Sequence, residues 1–137
     1  MIQIEQVPAY VVWPVRHAVM YPNKDYESIK LEEDKNGIHL ALFDGNELVS
    51  VVSLFKDGST LQFRKFATRQ TYQGKGYGSQ LLNYVIEFAK KEDVSTLWCN
   101  ARVDALSFYK RFGFKETGVN FCKDGIDYKI VELKMNC

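Results

Sequence analysis

Apolar and polar positions along this 137-residue chain recur with two different periods. Short β-rich runs, "GIHLALF" (37–43), "ELVSVVSLF" (47–55) and "TLQFRKFAT" (60–68), are separated by Asp44-Gly45 and Asp57-Gly58. Asp-Gly between such runs is a strong hairpin signal, so this stretch predicts an antiparallel meander. Further on, "FKETGVNF" (114–121) and "YKIVELKM" (128–135) flank Asp124-Gly125 and predict another hairpin. In its last run Val131, Leu133 and Met135 stand against Lys129, Glu132 and Lys134, one face buried and one wet.

The other period is helical. Over 76–91 the apolar set Gly78, Leu81, Leu82, Val85, Ile86 and Ala89 keeps 3.6-residue spacing, with Gln80, Asn83, Glu87 and Lys90 opposite. Over 104–112, Ala105, Phe108, Tyr109 and Phe112 follow i, i+3, i+4, i+7. Asp104 suits the N-cap, Lys110 and Arg111 suit the last turn, and Gly113 can close the helix in left-handed geometry. Between the two helices "STLWCNA" (95–101) reads as a short buried strand. Strand 60–68, helix 76–91 and strand 95–101 then form a right-handed βαβ unit with parallel strands. The expected fold is α+β: a mixed, mostly antiparallel sheet around one βαβ unit, with helices packed on it.

The first residues are less patterned. "IQIEQV" reads as an edge strand ending near Pro8, and Pro14 suits the first turn of a short helix, with Pro22 just past its end. Residues 23–37, "NKDYESIKLEEDKNG", are polar and poorly periodic, compatible with a mobile loop or a short second helix.

Length and composition fit one soluble domain over residues 1–137, with 46% hydrophobic and 26% charged residues. A net charge of +1 gives no general reason to expect nucleic acid as a partner. No apolar stretch approaches the roughly 20 residues that span a bilayer. The opening has Glu5 and no basic leader, so a cytoplasmic location is the default expectation. Cys99, Cys122 and Cys137 are odd in number and without a CxxC pair, and His17 and His39 are isolated. No disulfide framework or metal site is expected.

The stretch with the most chemistry is "QGKGYG" (73–78), between a predicted strand and a predicted helix. There, unpaired N–H groups and the positive helix end favour an anion, and glycines let backbone approach phosphate oxygens closely. A P-loop reading fails, because its first glycine would fall on Arg69 and Gly76 takes the Ser/Thr position. A dinucleotide fingerprint needs G-x-G-x-x-G, whereas the spacing is G-x-G-x-G, and Asp93 precedes rather than closes the next strand. A plain structural connector would need one such glycine rather than three in alternation.

Gln73-x-x-Gly76-x-Gly78 instead resembles the [Q/R]-x-x-G-x-[G/A] signature of the GNAT N-acetyltransferase superfamily. The resemblance extends over about residues 60–115 and includes "ALSFYKRFGF", similar to the family's A-x-x-x-Y-x-x-x-G-F segment at Ala105, Tyr109, Gly113 and Phe114. "WPVRHAVMYP" is similar to the first helix of an uncharacterised bacterial subgroup.

This resemblance implies an acetyl-CoA-dependent transfer of acetyl directly to the primary amine of a small-molecule acceptor. It implies helices on both faces of the sheet and no metal. Gln73, Gly74, Lys75, Gly76, Tyr77, Gly78 and Ser79 would hold the pyrophosphate, with Lys75 adding charge. The backbone of Phe66, Ala67 and Thr68 would pair with the pantetheine arm as an added strand and stabilise the thioester oxyanion. Tyr109 would be the general acid that protonates the departing thiolate. Many family members place an asparagine seven residues before this tyrosine; here that position is Arg102, and Asn100 is the nearest asparagine, so either could contact the cofactor. The general base is not fixed: His17 and Glu32 are candidates, the former more often structural and Glu32–Glu33–Asp34 more often a solvated charge run. Cys99 reads as a buried, inert thiol. The acidic residues of 23–37 lean towards a cationic small amine. A homodimer is allowed, and a non-catalytic CoA sensor is the competing function.

Overall fold

The computed structural model describes residues 1–135; Cys137 lies outside them. Seven strands form one mixed sheet in the order β1-β2-β3-β4-β5-β7-β6, with three α-helices. The chain divides into two compact units, residues 1–55 with 63–88, and residues 56–62 with the chain from Ala89 onward.

The first unit begins with β1 (Ile2–Val7), which pairs antiparallel with β2 (Ile38–Asp44), and β2 pairs antiparallel with β3 (Glu47–Asp57). The meander and the edge strand are thus where the alternation placed them. Between β1 and β2 runs α1 (Ala9–Met20). Pro14 does not open this helix but sits inside it; the entry is set by Pro8, whose φ of −62° belongs to the N-cap. An interior proline costs about 3 kcal/mol. Val12 and Val15 are fully buried against Ala41, Val51 and Ala67, and burial of each contributes about 1.5–3 kcal/mol. Tertiary burial therefore carries the helix past Pro14.

Residues 23–37 are neither one loop nor an α-helix. They form two short 3-10 turns, Tyr26–Ile29 and Glu32–Asn36. Asp34 is not part of a solvated charge run: it is buried, and it anchors the second turn to α1. Arg16, with no exposed surface, donates from Nη1 to Asp34 Oδ2 at 2.8 Å and from Nη2 to Asp34 Oδ1 at 3.2 Å. Trp13 Nε1 and the Leu31 N–H also donate to Asp34 Oδ2, at 3.0 and 2.9 Å. Burial alone would raise this carboxyl, but the bonds from Arg16, Leu31 and Trp13 outweigh it and hold Asp34 below the ordinary aspartate value. Arg16 Nη2 donates further to Ser53 Oγ at 3.0 Å, and His39 joins Ser53 through Nδ1 and the Asp34 carbonyl through Nε2, both at 2.8 Å. Ser53 Oγ and His39 Nδ1 thus share one hydrogen, and the Nε2–H of the same ring donates to the Asp34 carbonyl.

In β4 (Thr60–Thr68), Lys65 has φ +55°, left-handed backbone within a strand. For a lysine this costs about 1–2 kcal/mol. The α2 helix (Tyr77–Lys91) buries Leu81, Leu82, Val85 and Ala89 while Gln80, Asn83, Glu87 and Lys90 stay exposed, the stripe its periodicity predicts.

In the second unit, Thr60, Leu61 and Gln62 of β4 pair parallel with Thr96, Leu97 and Trp98 of β5 (Thr96–Arg102). This is the βαβ crossover through α2. β5 also pairs antiparallel with β7 (Ile126–Lys134), which pairs with β6 (Lys115–Lys123). At the β6–β7 turn Asp124 and Gly125 both have positive φ, the mirror-image turn that Asp-Gly favours.

Asp104 is not a helix cap. It lies in a 3-10 turn, Val103–Ala105, beside Arg102 at 3.5 Å, and α3 (Leu106–Lys110) follows with no side-chain cap. The end of α3 does follow the sequence. The Phe114 N–H donates to the Tyr109 carbonyl at 3.3 Å and the Gly113 N–H to the Lys110 carbonyl at 3.0 Å, with Gly113 at φ +96°. This is a Schellman closure, and its customary apolar contact is made by the Tyr109 and Phe114 rings, 5.8 Å apart edge to face.

Candidate active site

The predicted anion-binding turn lies wholly in the first unit. β4 ends at Thr68, a 3-10 turn covers Gln70–Tyr72, and α2 starts at Tyr77. Gly74 (φ +77°) and Gly76 (φ +88°) both use backbone that a side chain would strain. A Cβ at either would meet nothing within 4 Å, so conformation rather than crowding demands glycine there. Gly78 lies in the first turn of α2.

Gln80 is the first residue to close a helical bond, donating to the Gly76 carbonyl at 3.2 Å. Among the described residues, the six N–H groups of 74–79 meet no acceptor. These are the orphan donors of a helix start, extended backwards by the glycine loop. Residues 73–76 are exposed, so these donors face water or a ligand.

Two side chains of the motif brace the turn. Gln73 Nε2 donates to the Thr68 carbonyl at 2.9 Å, tying the loop to the end of β4. The Tyr77 hydroxyl donates to Asp44 Oδ2, which draws the Asp44 carboxyl below and pushes the phenol above their ordinary values. Lys75 Nζ lies 5.9 Å from the Tyr72 ring centroid, and Tyr72 meets Tyr77 edge to face at 5.8 Å.

Upstream, Ala67 is buried and Phe66 and Thr68 are half-buried. Ser50 Oγ donates to the Ala67 carbonyl at 3.1 Å and shares a 2.8 Å bond with Thr68 Oγ1.

Tyr109, Asn100 and Arg102 belong to the second unit. Tyr109 is half-buried on α3, its ring against Phe108 and Phe114 and its hydroxyl beside the thiol of buried Cys99. Burial first, then Cys99, pushes the phenol well above the ordinary tyrosine range. Burial likewise pushes the Cys99 thiol up, so neither group ionises near neutrality. Asn100 is exposed, and Arg102 lines a surface hollow of about 310 Å³ with Val103, Asp104, Gly125, Ile126 and Asp127.

His17 is engaged structurally: Nε2 donates to the Lys24 carbonyl at 2.8 Å and the ring meets Tyr26 edge to face at 5.3 Å. Glu32 is exposed, 3.9 Å from Lys35. Within 23–37 Glu27 pairs with Lys30, while Glu33 and Asp34 pair with Arg64 and Arg16 from outside the segment. Among the described residues no His, Cys, Asp and Glu group could hold a metal, and no helix is long and apolar enough to cross a membrane.

The sequence reading missed the buried Arg16–Asp34 pair. One signal was present: Val12, Val15, Arg16 and Val19 fall at i, i+3, i+4, i+7 on α1, so a charge stands on an apolar stripe and needs a buried acid.

A model of the acetyltransferase (GNAT) domain matches residues 14–135. An uncharacterised N-acetyltransferase of Bacillus subtilis, YitI, is 28% identical over 143 aligned positions, covering 98% of this chain and 96% of that protein. A Bacillus subtilis acetyltransferase solved in complex with CoA superposes with a TM-score of 0.78 at 23% identity, covering 99% of this chain and all of the other. A GNAT acetyltransferase of Elizabethkingia anophelis, solved with acetyl-CoA bound, gives 0.79 at 19% identity and 98% coverage of both chains. The residues matched by the domain model contain the glycine turn, the βαβ crossover and the Tyr109 segment; the chain belongs to the GNAT acetyltransferase family.

Proposed function

We propose that this chain transfers the acetyl group of acetyl-CoA directly to a primary amine of a small-molecule acceptor, acting as one GNAT-type domain in the cytoplasm. The observation that carries the reading is the run of six N–H groups, 74–79, without an acceptor at the start of α2. Such a run with two positive-φ glycines suits a diphosphate. Lys75 adds a mobile positive charge, while Gln73 and Tyr77 hold the turn in shape.

Phe66, Ala67 and Thr68 supply backbone to the pantetheine amides, and an N–H in this segment stabilises the oxyanion. The acceptor nitrogen attacks the thioester carbon, the C–S bond breaks, and Tyr109 gives its proton to the departing sulfur; the proton lost by the nitrogen passes to water, and Tyr109 is reprotonated from water. A CoA-type thiol titrates near 8.5, so a neutral donor assists departure at pH 7. The raised pKa of Tyr109 keeps that proton in place until the thiolate forms. Asn100 and Arg102 are the candidates for a further cofactor contact.

Incubation with acetyl-CoA and a panel of amines, with free thiol measured, tests this. Amine-dependent thiol release is the expected result. Saturable acetyl-CoA binding without release for any amine would replace the enzyme by a sensor.

A further inference from the structure

The segments 16–37 and 63–68 of the first unit carry six cations: Arg16, Lys24, Lys30, Lys35, Arg64 and Lys65. Four have a carboxylate within 4.0 Å: Arg16 has Asp34, Lys30 has Glu27, Lys35 has Glu32 and Arg64 has Glu33. Among the described residues Lys24 and Lys65 have none, although Asp25 follows Lys24 directly in the chain.

These two lysines converge on one side chain. Lys65 Nζ donates to the Tyr21 hydroxyl and stands 4.7 Å from its ring centroid, and Lys24 Nζ stands 5.5 Å from the same ring. The arrangement is held from behind. The Lys24 N–H donates to the Tyr21 carbonyl at 3.1 Å, and His17 fixes the Lys24 carbonyl. Lys65 is half-buried and has left-handed backbone, φ +55°, in the residue immediately before Phe66. Strain of this kind persists where surrounding structure imposes it, and it concentrates at ligand sites. A half-buried ammonium without a counter-charge points the same way, because desolvating it is unfavourable unless an anion arrives.

We infer that Lys65, Lys24 and the Tyr21 hydroxyl bind an oxyanion, carboxylate or phosphate, carried by the acceptor. The inference rests on the transferase reading for the word acceptor, but its chemistry is separate: two ammonium groups drawn to one tyrosine side chain, with that tyrosine's O–H beside one of them. The acceptor class is then an amine with an acidic group elsewhere on the molecule, in place of the purely cationic amine that the acidic count of 23–37 suggests.

The test reads binding rather than turnover. CoA-loaded protein is titrated with two probe series, N-acetyl-α-amino acids against their primary amides, and N-acetyl-O-phosphoethanolamine against N-acetylethanolamine, with the Lys24 and Lys65 resonances followed by NMR. The expected result is at least one oxyanion probe binding about tenfold or more tighter than its uncharged match, with both lysines shifted. Lys65→Asn tolerates left-handed backbone and should erase that preference while CoA affinity by calorimetry stays within about twofold; Lys24→Gln should reduce it. Equal binding of charged and uncharged partners, binding by neither series, or a preference that survives Lys65→Asn overturns the inference. Failure of the transferase reading shows elsewhere, as absent CoA heat or absent thiol release.

Discussion

The side-chain amide of Gln73 donates to the carbonyl oxygen of Thr68 at 2.9 Å, closing the glycine turn onto the strand that precedes it. The motif's first residue thus shapes the turn proposed to hold the anion. One hydrogen bond of this type is worth about 0.5–1.5 kcal/mol. Gln73→Ala should therefore weaken CoA binding about two- to tenfold by calorimetry and leave kcat at saturating acetyl-CoA nearly unchanged. A large drop in kcat with unaltered affinity would place Gln73 in the chemistry instead.

Gly76 has φ +88° and stands among the N–H groups proposed to take up the diphosphate. Gly76→Asp imposes left-handed strain of about 1–2 kcal/mol and sets a carboxylate against phosphate. CoA affinity should fall by about a hundredfold or more while the melting transition stays cooperative. Gly76→Ala carries the strain without the charge and should fall in between. Normal affinity in the Asp variant would remove the pyrophosphate assignment.

For Tyr109, removal of the hydroxyl should slow turnover about 10²-fold with acetyl-CoA affinity within about threefold, the range for a general acid. The Phe ring keeps the edge-to-face contact with Phe114 that closes α3, so the fold should persist. Stopped-flow thiol release against equilibrium titration separates the two effects. An unchanged rate would leave Tyr109 as part of the apolar stripe only.

The buried Arg16–Asp34 pair predicts a pH dependence of stability. The unfolded aspartate titrates near 3.8 and the folded one lower, so the pair's contribution is complete above that value and is lost as pH falls through the folded pKa. Denaturant midpoints should fall below about pH 4, and less steeply in Asp34→Asn. Arg16→Met should cost about 3–5 kcal/mol at pH 7, because it strands a buried carboxylate. Restoring an apolar residue at Asp34 as well would not recover it all, since the Leu31 N–H and Trp13 Nε1 would lose their acceptor.

What the sequence disclosed follows from how locally each feature is determined. The α2 stripe and the Asp124-Gly125 turn depend on residues near in the chain, and both stand where the pattern put them. Gly113 closes α3 for the same reason. The start of α1 was misplaced because burial of Val12 and Val15 overrides the local penalty at Pro14. The place of Arg16 on the α1 stripe asks for a buried acid, but nothing local marks Asp34, 18 residues away among exposed acids, as that acid. The glycine motif named the loop, yet it could not reveal that Gln73 and Tyr77 spend their side chains on Thr68 and Asp44.

The amide resonances of residues 74–79 offer the most direct reading of the anion site. In a 15N-labelled sample titrated with CoA, these six signals should shift most and saturate together, as expected for main-chain donors taking up the diphosphate. CoA that bound while leaving them in place would contradict the account at its root.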